Sequence, residues 1–241
     1  MKKTISFWSA GGGTGTTTLA ISYALSLKKH KTNVALADFK EVTPHVHKYF
    51  GIDVQDKSDV YEAVENGRGV YEAAKRHLDK RQGIWIFTGV GLDNFAKFEE
   101  RHFSAVIEVL EEEFDHVVID TTPGIFFSST YAALKKSGLI YAVLAPDRWR
   151  LEDTAVMMEF ICKRWDVGKE RFKALLNMAD SGEIDVNTIE RVLEVETFPV
   201  RWGKKHITQD VAKIVKAALE KGTGIGGRIR TIGEAKNFGV N

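Results

Sequence analysis

Cysteine is almost missing from this 241-residue chain. Cys162 stands alone, which excludes a disulfide framework and any zinc site built on thiolates. It lies in a helical pattern beside Phe160 and Ile161 and reads as a buried structural thiol. Long apolar runs are missing too: nothing approaches the roughly eighteen residues of a membrane span. The basic opening Met1-Lys-Lys-Thr has too little apolar sequence after it for a leader, so a cytoplasmic protein is expected. Proline occurs four times. Three of these residues, Pro123, Pro146 and Pro199, follow or end apolar runs, where proline stops strand pairing and opens a loop. Repeats and low-complexity tracts are absent. Net charge is only +1, yet it is unevenly spread. Residues 201–241 hold nine Lys or Arg against three Asp or Glu, an excess of +6 that leaves −5 for the first 200 residues. That basic end could meet nucleic acid, an anionic membrane surface or an acidic protein; a solvated helix face with a loose tail is the plainer reading.

What is present suits a single α/β domain. With 44% hydrophobic and 28% charged residues the chain is long enough for a sizeable core. Short apolar runs alternate with amphipathic stretches, the pattern of a doubly wound, mostly parallel sheet with helices on both faces. Strands are expected at Thr4–Trp8, Asn33–Ala37, Ile84–Thr88, His116–Asp120, Leu139–Ala145, Phe172–Asn177 and Val195–Val200. The clearest helices are Thr17–Lys28, Val60–Asn66, Val70–Leu78, Phe103–Phe114, Ser129–Lys136, Leu151–Trp165, Val186–Leu193 and Thr208–Lys221. Residues 1–222 form the domain and 223–241 a basic, glycine-rich tail. Glycine costs a helix about 1 kcal/mol per residue, so the tail is no amphipathic membrane helix. In open parallel sheets ligands gather beyond the carboxyl ends of the strands, so the loops at Ser9, Asp38, Asp120, Pro146 and Asn177 should surround one site.

The most informative stretch is Gly11-Gly12-Gly13-Thr14-Gly15-Thr16-Thr17-Thr18, between an apolar strand and the run Leu19–Leu27. A glycine-dense loop opening a helix is the plan of a phosphate-binding loop, in which backbone N–H groups and a helix N-terminus face an anion. Where that pattern requires lysine, this chain has Thr16. A second stretch, Phe114-Asp-His-Val-Val-Ile-Asp-Thr-Thr-Pro-Gly124, is an apolar strand ending in Asp120, where such a site needs an acid to hold the waters around Mg²⁺.

These motifs, with Asp38 ending the second strand, Ala145-Pro146 and Phe172-Lys-Ala-Leu-Leu-Asn177, fall in the order and spacing of the MinD/ParA family of deviant Walker ATPases. The chain resembles them from Lys2 to about Gly222. The resemblance implies the P-loop NTPase fold, ATP or ADP bound with Mg²⁺, and an ATP-dependent homodimer or a protein partner. Thr17 matches the hydroxyl that ligates Mg²⁺, Asp120 the acidic end of the metal site, and Asn177 the base-contacting asparagine. Against the family pattern the signature lysine is Gly11, the phosphate lysine is Thr16, and the second acid of Asp-x-Asp is Lys40.

Losing the loop lysine removes a charge-assisted hydrogen bond of about 1.5–3 kcal/mol, roughly ten- to hundredfold in affinity. Charge supplied to a transferring phosphoryl group is worth about 10³–10⁵ in rate, so binding is expected to outlast hydrolysis and no catalytic residue is assigned. The implied function is a nucleotide-binding positioning or scaffold protein with little or no turnover; the alternative is an active ParA-type ATPase organising or partitioning DNA. Lys40 either replaces part of the lost charge from another direction or is an exposed lysine in a mobile loop. Arg148 and Arg150 are similar candidates, equally suited to covering apolar surface. Asn177-Met-Ala-Asp180 resembles a guanine-reading motif, but Met178 replaces its lysine, so adenine is preferred to GTP. His45 and His47 read as loop histidines, and Glu111-Glu-Glu113 as a solvated face.

Overall fold

The structure is a computed structural model and describes residues 4–220. The proposed tail, and with it the boundary at 222, lies outside the described residues. In chain order the elements are β1 (Thr4–Trp8), α1 (Thr16–Leu27), β2 (Val34–Phe39), α2 (Val46–Phe50), α3 (Ser58–Glu65), α4 (Val70–Arg76), β3 (Leu78–Arg81) and β4 (Ile84–Phe87). There follow α5 (Leu92–Phe95), α6 (Glu100–Glu113), β5 (His116–Thr121), α7 (Ser128–Lys136), β6 (Leu139–Leu144), α8 (Arg148–Arg164), β7 (Phe172–Asn177), α9 (Val186–Leu193), β8 (Thr197–Val200) and α10 (Lys204–Glu220).

The strands form one sheet in the order β3-β4-β2-β5-β1-β6-β7-β8. Every pairing is parallel except the β3–β4 hairpin at one edge. The central strands are buried along their whole length, as continuous apolar runs require when both faces are covered. Alternate residues serve opposite faces. Ile5, Phe7, Val34, Leu36, Val118, Tyr141 and Val143 pack with α1 and α10. Ala35, Ala37, Val117 and Ile119 pack with α6 and α7, while Ile140, Ala142, Leu144 and Leu176 pack beneath α8 and α9.

The expected doubly wound sheet is present, with one strand more than the sequence suggested. The helix expected at Val70–Leu78 ends at Arg76, and Leu78 begins β3. Pro199 lies inside the edge strand β8 rather than ending it, tolerated because one side of that strand is unpaired. Cys162 is half-buried against the α8–α9 core rather than fully enclosed. The acidic run is engaged: Glu111 accepts from Thr4 Oγ1 at 2.6 Å, and Glu113 bonds Tyr71 and pairs with Lys75 at 3.1 Å.

Candidate functional site: a phosphate-loop cleft

Because β2, β5, β1, β6 and β7 run parallel and adjacent, their following loops meet at one rim of the sheet. The loop from Ser9 to Gly15 leaves β1 and enters α1 through Gly15, whose φ of 86° is left-handed; Gly13 is similar at 78°. Only glycine adopts these angles without a Cβ clash. No side chain caps the N-terminus of α1, so its end is available to an anion. Gly12, Gly13 and Thr18 are exposed, Gly11, Gly15 and Thr17 half-buried, and Thr14 and Thr16 buried. The loop borders a cleft of about 530 Å³ that is also lined by Ser9, Lys40, Thr43, His45, Tyr49 and Pro123.

Thr16, which stands where the phosphate lysine is expected, does not substitute for it. Its hydroxyl donates to Ser9 Oγ at 3.1 Å and bonds Thr14 Oγ1 at 2.9 Å, a chain of hydroxyls among residues that line the cleft. Asn177 closes the loop from the β7 side, its Nδ2 donating to the Thr14 carbonyl at 2.9 Å. Its Oδ1 is buried and has no partner among the described residues. Asp180 accepts from the Trp202 amide at 3.0 Å.

Two cations reach the cleft from outside the loop. Arg150, in the first turn of α8, donates through Nη1 to the Gly12 carbonyl at 2.6 Å. A Cβ at position 11 would lie 3.0 Å from the same nitrogen, so the glycine standing in for the signature lysine gives Arg150 its room. Asp147 sets the start of that helix, accepting from the amides of Trp149 (2.8 Å) and Arg150 (3.3 Å). Arg148 instead pairs with Glu152 in solvent.

Lys40 is the second cation, and it is neither exposed nor on a loosely held loop. Its side chain is 12% exposed, and its ammonium bonds Thr17 Oγ1 and lies 3.2 Å from Asp120 Oδ2. Thr17 Oγ1 in turn donates to Asp120 Oδ2 at 2.6 Å. The Lys40 backbone is anchored on both sides. Asp38 accepts from the amides of Lys40 (3.1 Å), His45 (2.7 Å) and Val46 (2.8 Å). Glu41 accepts from the Ser129 amide at the start of α7 (2.7 Å) and donates its own amide to Thr122 Oγ1 (3.1 Å). Sequence reasoning missed Glu41 altogether; nothing in Lys40-Glu41-Val42 signals a partner 88 residues away. Burial pushes the Asp120 carboxyl up to about 7, opposed by Lys40 and assisted by Asp38. Burial also raises Asp38, against its three amide donors.

Thr17 and Asp120 are the oxygens that Mg²⁺ would require, and Mg²⁺ demands oxygen ligands at about 2.0–2.1 Å in octahedral array. Here an ammonium sits against Thr17 Oγ1 and Asp120 Oδ2, while Asp120 Oδ1 is buried and has no partner among the described residues. A divalent ion about 4 Å from that charge would be repelled by roughly 8 kcal/mol at an effective dielectric constant of about 20. As arranged, the pair fits Lys40 and not the metal. Elsewhere, no group of three or more His, Cys, Asp or Glu side chains among the described residues could hold a metal, His45 and His47 included. No helix among them is long and apolar enough to cross a membrane.

No protein-family model matches the chain. Its sequence is 25% identical over 220 residues to an uncharacterized ATP-binding protein of Methanocaldococcus jannaschii, covering 86% of this chain and 77% of the relative. It is 23% identical over 164 residues to a virulence plasmid ParA family protein of Chlamydia psittaci, covering 66% of this chain and 62% of that relative. Among solved structures, the cell division ATPase MinD of Pyrococcus furiosus aligns with a TM-score of 0.75 over 92% of this chain and 99% of that one, at 21% identity. The septum site-determining protein MinD of Pyrococcus horikoshii, complexed with Mg-ADP, gives 0.77 over 95% and 100%, at 18% identity. The resemblance to the MinD/ParA ATPases therefore extends from the loop motifs to the whole fold.

Proposed function

We propose that this chain binds an adenine nucleotide, ATP or ADP, in the Gly11–Thr18 cradle and acts as a MinD/ParA-like positioning or scaffold protein with little or no hydrolysis. The observation that carries the reading is the loop itself. It keeps left-handed glycines and an uncapped helix start beside an open cleft, while the hydroxyl at position 16 is bonded to those of Ser9 and Thr14. Such a loop can hold phosphate through backbone N–H groups. It lacks the charges that stabilise phosphoryl transfer, and Lys40 occupies the sequence position of the acid that would place water.

At the base end Asn177 Oδ1 is a buried acceptor without a partner among the described residues, suited to an exocyclic amine such as that of adenine, and one oxygen of Asp180, which a guanine reading would need, already accepts from the Trp202 amide. Output through a protein partner is supported by two exposed rings, Phe126 on the loop after β5 and Trp149 in the first turn of α8.

Phosphate release measured with and without DNA or anionic vesicles tests the proposal. Turnover above about 0.1 per minute that disappears in Thr17→Ala and Asp120→Ala would establish an active ATPase instead. Absence of ATP and ADP binding up to millimolar concentration, with Mg²⁺ present, would remove the nucleotide reading as well.

A further inference from the structure

We propose that the cleft takes the polyphosphate of a nucleotide free of divalent metal, with the Lys40 ammonium standing where Mg²⁺ would otherwise sit between Thr17, Asp120 and the phosphates. The inference rests on the nucleotide reading above and specifies which form of the nucleotide is recognised.

Three features carry it. First, an ammonium already sits on the would-be metal ligands: Thr17 Oγ1 donates to Asp120 Oδ2 while accepting from Lys40, and the same Asp120 oxygen lies 3.2 Å from the ammonium, leaving Asp120 Oδ1 buried and without a partner among the described residues. An ammonium has three donors. Two face these oxygens, which leaves one for a phosphate oxygen.

Second, access is ordered. Lys40 lines the cleft, whereas Asp120 is wholly buried beneath it, so an ion entering from solvent meets the ammonium before it meets the carboxylate. Third, the backbone that carries the ammonium is held on both sides. Asp38 fixes the Lys40 amide and the turn after it, and Glu41 ties the next residue to the start of α7. A lysine so anchored is a built-in counter-ion rather than a passing surface charge.

The experiment is titration of ATP and ADP, read by calorimetry, in excess Mg²⁺ and in EDTA. For the unaltered chain the dissociation constant in EDTA should be at least about tenfold lower than in excess Mg²⁺, because the ion withdraws the metal-free nucleotide that is recognised. Lys40→Ala should bind at least about tenfold more weakly in EDTA and recover when Mg²⁺ is added, because the emptied oxygens can then take the metal. Mn²⁺ resonance spectra give a readout independent of turnover: no ion bound by the unaltered chain with nucleotide, one bound by Lys40→Ala.

Equal constants in the two conditions, or loss of about tenfold or more in EDTA, by the unaltered chain would overturn the inference. Loss in EDTA would mean that Lys40 swings aside and opens Thr17 Oγ1 and Asp120 Oδ2 to a hydrated metal. Binding in Mg²⁺ alone sinks only this inference, whereas binding in neither condition sinks the nucleotide reading with it. Should Lys40→Ala fail to fold by circular dichroism, the comparison on the unaltered chain still decides.

Discussion

A methyl group on residue 15 would lie 2.3 Å from Asn177 Nδ2, on a backbone held at φ 86°. The left-handed angle alone costs a residue with a β-carbon about 1–2 kcal/mol. Gly15→Ala is therefore expected to lower stability by more than about 2 kcal/mol, read from urea unfolding. Asn177→Ala removes the obstruction, so the double variant should lose less than the sum of the two single ones; strict additivity would show that the two groups do not press on each other. Lys57 offers a different test. It is wholly buried, donating to the Gln55 carbonyl (3.1 Å), Thr88 Oγ1 (3.0 Å) and the Gly89 carbonyl (3.1 Å). Burial pushes its ammonium down from 10.5 to about 8. Between those values the unfolded chain holds more protons than the folded one, so stability should rise with pH across that window, by up to about 1.4 kcal/mol per pH unit. Below about 8 this contribution is flat. Lys57→Met should lack the slope in urea midpoints collected across the window. At neutral pH it should also be less stable by about 1–3 kcal/mol, because three acceptors lose their donor.

Among the elements, α8 has the most direct bearing on the cradle, because its first turn delivers Arg150 to the Gly12 carbonyl. Asp147→Ala removes its cap and should cost about 1 kcal/mol. It should also weaken nucleotide binding, whereas Arg150→Ala should weaken binding with little change in thermal midpoint. Equal thermal losses in the two variants would argue against a capping role. The β-strands were legible to within a residue or two where apolar runs are unbroken, as at His116–Thr121 and Phe172–Asn177. The hairpin strand β3 was not, because Leu78-Asp-Lys-Arg81 has no alternation and follows a helical pattern directly. The cradle could be read because its glycines are contiguous. The resting place of Lys40 could not, since it depends on a hydroxyl 23 residues away and on an acid at the end of another strand. No local pattern encodes that meeting, and the bonding of Thr16 to Ser9 and Thr14 is equally silent in sequence.

For the molecule as a whole, the site joins loops from five adjacent strands, so a ligand there should stabilise the entire domain. A nucleotide at about a hundredfold its dissociation constant contributes about 2.7 kcal/mol, and for a domain of this size the thermal midpoint should rise by roughly 5–10 °C. The rise should be larger in EDTA than in excess Mg²⁺, which withdraws the metal-free nucleotide. The two rims of the sheet carry a further implication. One ends in a four-residue strand whose last side chains, Lys80 and Arg81, are exposed, and the other in a strand interrupted by Pro199, which has no N–H to offer. Both features work against a foreign strand continuing the ladder. Contacts made through helices and loops of the described domain need no strand exchange, and such bonds can be undone without unfolding anything.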